Sequence, residues 1–356
     1  MEDLLKNIKE AVDRGASDVF ILPGMPFSYK LNGHLEYLND AKILPADIEA
    51  IIDKVYILAN NRNKQKLMEH GDDDFSFSIS GVSRFRISVM RQRGSLAAII
   101  RVVQFELPDF DTLNIPEQVM RIADMTQGLV LVTGSAGSGK STTLASIVNR
   151  INNTKSLHVI TLEDPIEYLY KHNKSAITQR EIGADTDSYL TGLRAALRQA
   201  PDVILIGEMR DYATIQTAMT AAETGHLVIS TLHTLGAANS VDRIIDSFPT
   251  NQQEQIRLQL SMVLQCVVSQ QLIPRIDTTG LIPAWEIMFV DESIRTLIRD
   301  ARLNQIDGII QTSANKGCLS LQNSLYDLYK KGIISKESAV IKSKNKELME
   351  KRISRG

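Results

Sequence analysis

Apolar positions along the chain follow two rhythms, and the change between them divides the sequence. Leu4, Leu5, Ile8, Ala11 and Val12 recur at helical spacing and stop at Gly15, a residue able to take the left-handed conformation that closes a helix. Asp18 to Leu22 and Phe27 to Leu31 read as short strands around the turn Pro23-Gly24-Met25-Pro26, and a second helix is predicted over Pro45 to Asn60. Phe75, Phe77 and Ile79 alternate with polar residues, Ser80 to Ser83 turn, and Phe85, Ile87 and Val89 alternate again. This period-two pattern predicts a half-buried hairpin, with Arg84 and Arg86 sharing its opposite face. With a further strand over Leu96 to Val103, residues 1–106 are expected to form a small α+β domain, helices packed on an antiparallel sheet.

Residues 107–116 carry two prolines and little periodicity and read as a linker. Over residues 117–356 the rhythm changes. Apolar runs at Leu129 to Thr133, His158 to Leu162, Val203 to Ile206 and Leu227 to Thr231 alternate with helical stretches, the pattern of a parallel sheet covered on both faces. From about Asn251 helical patterns dominate, broken by one strand at Trp285 to Val290. The fold class is therefore α/β: a small α+β domain, then a nucleotide-binding α/β domain with a helical C-terminal part.

Composition narrows the function. With 356 residues, 43% hydrophobic and 23% charged, the chain has the make-up of a soluble globular protein of more than one domain. Forty Lys and Arg against 42 Asp and Glu give a net charge of −2, so no global positive field draws in nucleic acid or an anionic membrane. Cys266 and Cys318 stand alone without a paired CxxC, which argues against a zinc module or a disulfide scaffold and suits a reducing compartment. Met1 to Glu10 read as a charged amphipathic helix rather than a signal peptide, and no apolar run approaches the ~18 residues needed to span a bilayer.

Gly134-Ser135-Ala136-Gly137-Ser138-Gly139-Lys140-Ser141 matches the phosphate-binding loop, placed after an apolar strand and before a helix as that loop requires. Glycine lets successive N–H groups point inward at phosphate oxygens, Lys140 supplies a mobile cation, and the Ser141 hydroxyl supplies a ligand for Mg2+. Thr142 completes the expected nucleotide-binding set, and the helix dipole adds to it. In a doubly wound sheet ligands gather at the carboxyl ends of the strands. Glu208, past Val203 to Ile206, is placed to hold the Mg2+ through water, whereas Asp202 precedes that strand and faces the wrong end. Glu163 and Asp164 end another strand and Glu167 lies just beyond; one of them can orient or deprotonate the attacking water, the alternative being a solvated acidic loop. His233 follows the strand Leu227 to Thr231 and can touch the terminal phosphate; His226 opens that strand, with a structural histidine as the competing reading. Phosphoryl transfer also needs an arginine from elsewhere, and Arg84, Arg86, Arg91, Arg93 and Arg101 are candidates against the plain reading of a solvated sheet face.

Together these residues resemble the secretion ATPase superfamily, and within it the type IV pilus retraction ATPases. The likeness runs from Gly15-Ala16-Ser17-Asp18 through Arg84-Phe85-Arg86, the phosphate loop, Leu162-Glu163-Asp164-Pro165-Ile166-Glu167 and Gly207-Glu208-Met209-Arg210-Asp211. It ends with Thr224-Gly225-His226 and Thr231-Leu232-His233-Thr234. The resemblance implies Glu163 as catalytic base, Glu208 as the metal-side carboxylate, His226 and His233 as a histidine pair, and Arg84 and Arg86 as arginines acting on a neighbouring subunit. It also implies a PAS-like first domain, a RecA-like second domain, and a homohexamer using ATP and Mg2+. That ring would sit at the cytoplasmic face of the inner membrane, reaching pilins indirectly through a platform protein and the membrane only through such partners. Ser293-Ile294-Arg295-Thr296-Leu297-Ile298-Arg299-Asp300 is similar to the retraction signature Ala-Ile-Arg-Asn-Leu-Ile-Arg-Glu, from which Thr296 and Asp300 depart. Ser135-Ala136 replaces the usual Pro-Thr while leaving every glycine, lysine and hydroxyl of the loop in place. Extension relatives often carry a four-cysteine element that two isolated cysteines cannot build. The alternatives are a pilus extension or type II secretion ATPase, a RecA-like nucleic-acid translocase, which the charge balance disfavours, and a non-hydrolysing scaffold, which the complete acidic set disfavours.

Overall fold

Six strands of the N-terminal half pair antiparallel in the computed structural model, which describes residues 2–31, 33–103 and 110–355. Met1, and Leu107 to Asp109 of the expected linker, lie outside them. The chain divides into two compact units, Met1–Leu107 with Pro165–Leu169, and Pro108–Asp164 with Tyr170–Gly356.

The first unit holds α1 (Glu2–Asp13), β1 (Asp18–Ile21), β2 (Pro26–Leu31), β3 (His34–Lys42), α2 (Pro45–Leu58), α3 (Gln65–His70), β4 (Asp72–Ile79), β5 (Ser83–Gln92) and β6 (Ser95–Val103). Its sheet order is β3-β2-β1-β6-β5-β4. The expected hairpin is β4–β5, in register Phe77 to Phe85 and Phe75 to Ile87. Its inward residues Phe75, Phe77, Phe85, Ile87 and Val89 join Ile48, Ile52 and Val55 of α2 and Leu4 and Ile8 of α1 in one core. Strand β3 gave no alternation to read because it is an edge strand exposed along nearly its whole length.

The second unit holds α4 (Glu117–Met120), β7 (Gly128–Thr133), α5 (Lys140–Thr154), β8 (His158–Glu163), β9 (Ala176–Glu181), α6 (Tyr189–Ala196), β10 (Val203–Ile206), α7 (Tyr212–Glu223) and β11 (Leu227–Leu232). It continues with α8 (Ala237–Asp246), α9 (Gln253–Val263), β12 (Leu264–Pro274), β13 (Leu281–Phe289), α10 (Glu292–Arg299), α11 (Ile306–Thr312), α12 (Leu321–Lys330), α13 (Lys336–Lys342) and α14 (Lys346–Arg355). The order β13-β12-β7-β11-β10-β8-β9 is parallel throughout except for β13. Alternation sorts the central strands between two cores. Leu129, Leu131, Ile204, Ile206 and Val228 pack on one face, and Val130, Val132, Val203, Leu205 and Ile229 on the other. Cys266 and Cys318 are both buried and unpaired.

One expectation fails in this unit: the stretch after Asn251 is not helical up to Trp285. Strand β12 lies beside β7, and β13 begins at Leu281 and pairs with it from Cys266–Phe289 to Pro274–Leu281. A strand covered on both faces shows no alternation, so its apolar stretch cannot be told from a buried helix by periodicity. The linker region is also more structured than expected, with a 3-10 turn at Phe110–Leu113. Among the described residues no helix is long and apolar enough to cross a membrane.

A buried ionic knot anchors the first unit. The Asp73 side chain is fully buried and accepts from Tyr56 Oη at 3.1 Å and from Arg62 Nε and Nη2 at 3.0 Å each, with Lys66 at 3.6 Å. Burial, then the Asp73 charge, pushes the Tyr56 hydroxyl above its ordinary pKa, so it stays a donor. Replacing Arg62 by Met is expected to destabilise the protein by about 3 kcal/mol, the low end for breaking a buried pair because Lys66 remains. Urea unfolding measures the loss, and Arg62→Lys should recover part of it.

Candidate active site

Because β7, β8, β10 and β11 run parallel in near-matched register, with Leu162 beside Ile206, Ile206 beside Ser230 and Leu232 beside Thr133, their carboxyl ends form one edge. The phosphate loop follows β7, Glu163 ends β8, Glu208 stands two residues past β10, and His233 follows β11. Hydrogen bonds draw these ends together: Gly207 N–H donates to Leu162 O at 2.7 Å, Gly134 N–H to Leu232 O at 3.3 Å, and the Thr231 hydroxyl to Gly207 O at 2.5 Å.

Three glycines of the loop have positive φ: Gly134 at 150°, Gly137 at 72° and Gly139 at 87°. Space forbids a side chain at Gly134, where a Cβ would lie 2.5 Å from both the Gln270 carbonyl and Ser138 Oγ. Lys140 Nζ donates to the carbonyls of Gly134 at 3.0 Å and Ser135 at 2.9 Å, so the cation lies folded over the loop. Ser138 Oγ is buried and without a hydrogen-bond partner, a polar atom of the kind a phosphate oxygen would satisfy. Ser141 and Thr142 lie half-buried on the first turn of α5, whose amino end starts at Gly139. Gln270 of β12, 2% exposed, staples the loop: its Nε2 donates to Ser138 O at 2.5 Å and its Oε1 accepts from Thr143 Oγ1 at 2.7 Å.

Glu163 Oε1 accepts from Thr161 Oγ1 at 2.6 Å and from Gln179 Nε2 of β9 at 3.2 Å, which fixes its carboxylate. Asp164 and Glu167 are exposed. Glu208 pairs with Arg210 Nη2 at 2.5 Å and with His233 Nε2 at 3.4 Å. The hydrogen bond to Glu208, followed by its charge, raises the Arg210 pKa further. Tyr189, at the start of α6, brings its hydroxyl within 2.9 Å of where a Cβ on Gly207 would stand. Burial, then Asp164 and Glu208, pushes that hydroxyl's pKa up, so it stays protonated among carboxylates. Asp211 caps α7, its carboxylate accepting from Thr214 N–H at 2.8 Å.

Not every candidate joins this edge. His226 stands just before β11, where its carbonyl accepts from Gly128 N–H at 3.0 Å and its ring Nδ1 donates to Ala221 O at 3.0 Å; a strand of that length puts it roughly 20 Å from His233. Asp202 also sits at the amino ends, accepting from His158 N–H at 2.8 Å. Arg84 and Arg86 belong to β5 of the first unit, Arg86 opposite Arg101, which itself pairs with Asp18 at 2.9 Å. In the signature stretch, Ile294, Leu297 and Ile298 face the core, and Arg295 donates to the carbonyls of Ser261 at 2.5 Å and Met262 at 2.7 Å, closing the end of α9.

Beside the first turn of α5 opens a cavity of about 280 Å³, lined by Leu113, Ile115, Thr142, Leu272, Arg275 and Trp285 among others. It adjoins the phosphate loop with apolar walls and one guanidinium, as a nucleoside pocket does. Reading the sequence missed Gln270, Gln179, Thr161, Tyr189 and this cavity. Only the polar pair Gln270-Gln271 inside an apolar stretch could have pointed to one of them.

Fold and edge define a phosphate-loop nucleotide-binding protein of the doubly wound α/β class. The chain matches the Type II/IV secretion system protein family over residues 1–353 and belongs to it; it is an ATPase of that family. It is 40% identical to the type IV pilus retractation ATPase PilT of Pseudomonas aeruginosa over 342 residues, covering 96% of this chain and 98% of that protein. A twitching motility protein of Neisseria gonorrhoeae is 39% identical over 320 residues, 90% of this chain and 85% of that one. The crystal structure of the pilus retraction motor PilT with bound ADP superposes with a TM-score of 0.86 at 45% identity, covering 98% of each chain.

Trp285 is the only tryptophan. ADP is expected to change its emission on binding, and Gly134→Ala to weaken that titration roughly tenfold or more through steric strain in the loop. Fluorescence titration of the two proteins checks both.

Proposed function

We propose that the chain is a Mg2+-dependent ATPase that works as a homohexamer and retracts type IV pili, drawing pilins back through an inner-membrane platform protein. What supports the reading most is near-full-length likeness to proteins named for pilus retraction, together with a P-loop edge that carries the loop, a fixed Glu163 and the Glu208–His233 pair.

The substrate's phosphates enter the loop, where backbone N–H groups between Gly137 and Ser141, the Ser138 hydroxyl and the α5 dipole meet their charge. Lys140 leaves the loop carbonyls for phosphate oxygens. Ser141 and Glu208 offer hard oxygen donors of the kind that fit Mg2+. Ser141, with Glu208 through water, would hold the ion, which neutralises phosphate charge when bound. Glu163, oriented by Thr161 and Gln179, takes the proton of the attacking water, and His233 reads the terminal phosphate against Glu208. Arg84 and Arg86 from a neighbouring copy complete the charge compensation, an effect on the order of 10³ in rate. His226, at the opposite strand end, acts on its own chain's backbone or across a subunit boundary. Domain movements follow the nucleotide cycle and carry the force.

Glu163→Gln is expected to lower hydrolysis by at least ~10² while leaving ADP affinity within a few-fold, because the amide keeps the hydrogen bonds but accepts no proton. A variant with normal turnover excludes the base. In the source cell, deletion should leave surface fibres static and abundant; loss of fibres would point to an extension motor instead.

A further inference from the structure

His233 stands at one end of the loop His233-Thr234-Leu235-Gly236, whose other end is the start of α8. That far end is held by a buried charge. Glu286 of β13 is 3% exposed; Oε1 accepts from Ala237 N–H at 2.7 Å, at the positive end of the α8 dipole, and Oε2 pairs with Lys344 Nζ at 2.7 Å. Lys344, between α13 and α14, also reaches Asp307 of α11 at 2.8 Å. Burial opposes the ammonium charge, and Glu286 and Asp307 outweigh it, so the Lys344 pKa lies above its ordinary value.

Gly236 accommodates this arrangement because it lacks a side chain. Its φ of 91° is one that other residues avoid, and a Cβ would stand 3.1 Å from Lys344 Nζ. Its N–H donates to Ser269 Oγ of β12 at 2.9 Å, and its carbonyl accepts from Ser240 Oγ at 2.7 Å. Ser240 in turn lies 2.7 Å from Thr234 Oγ1 and 3.3 Å from Thr133 Oγ1, the residue before the phosphate loop. The loop after β11 is therefore tied on one side, through Ser240, to the base of the phosphate loop and on the other, through Ala237 and Glu286 of β13, to Lys344.

The geometry points to Lys344 as a positioning residue for hydrolysis: by neutralising Glu286 it fixes the start of α8, and through that loop the placement of His233 at the carboxyl edge. This rests on the reading that His233 faces the substrate. Without Lys344, Glu286 keeps its charge with only the helix end to balance it, and a buried carboxylate so placed shifts toward water, carrying Ala237 and Gly236 with it. A surface tether with no part in turnover would behave differently.

Full-length K344M, K344R, E286Q and the double variant K344M/E286Q distinguish the two by steady-state ATP hydrolysis. K344M is expected to lose about tenfold in kcat with KM for ATP within about twofold, and K344R to recover kcat to within about twofold of the parent. E286Q keeps the oxygen that receives Ala237 N–H and removes the charge that needs balancing, so adding K344M to it should cost less than about twofold. The proposal is overturned if K344M turns over within twofold of the parent, if its loss appears in KM alone, if K344R fails to restore kcat, or if K344M costs as much in the E286Q background. Should K344M fail to fold, comparing E286Q with the double variant still decides, a double variant several-fold slower than E286Q, or one that does not fold, overturning it. H233A separates the two failures: turnover within twofold of the parent removes the reading that His233 faces the substrate, whereas a slow H233A beside an unchanged K344M overturns the role of Lys344 alone.

Discussion

The side-chain amide of Gln270 holds the place on which the rest of the molecule turns. Cut off from water on β12, it has one donor bond to the Ser138 carbonyl and one acceptor bond from Thr143, so the phosphate loop and the first turn of α5 are fixed to a strand rather than to each other alone. A buried amide that lost either partner would carry the full cost of an unmet polar group. The same strand supplies the carbonyl that crowds Gly134 and the serine that holds Gly236. Loop shape, strand pairing and the segment beyond His233 are thus set by neighbouring positions of one strand.

A parallel sheet gives this constraint its reach. Since every strand from β7 to β8 ends on the same edge, residues separated by a hundred positions in sequence arrive side by side without long excursions of the chain. The opposite edge receives what begins the strands: His226, Asp202 and the backbone contacts they make. A histidine at each end of β11 therefore serves two different surfaces of the sheet, however similar the two look as neighbours in a motif.

Much of this was readable in advance because it rests on local rules. The loop announces itself by glycines at fixed spacing, β10 and β11 by short β-branched runs, and the β4–β5 hairpin by alternation around Ser80 to Ser83. Strand ends then ranked Glu208 above Asp202 from order alone. What escaped was whatever depends on a distant partner. Strand β12 carries apolar residues on both faces and three glutamines among them, so neither its period nor its composition says strand, and Gln270 could not be given a role before the strand was placed. Gln179 belongs to the edge strand β9, whose half-exposed pattern is weak. Tyr189 looks like an ordinary helix residue until Gly207 is seen to leave room for its hydroxyl.

Cys266 and Cys318 offer a practical opening. Both sulfurs are enclosed, and burial drives the Cys266 thiol far from the thiolate form, with Cys318 shifted the same way. Nucleophilic attack requires an ionised, reachable sulfur. Both native thiols are accordingly expected to resist maleimides and spin-label reagents, so that a cysteine introduced on either unit should be tagged selectively without first removing the natural pair. Pairwise distances between such tags, measured with and without ADP, would test for movement driven by the nucleotide.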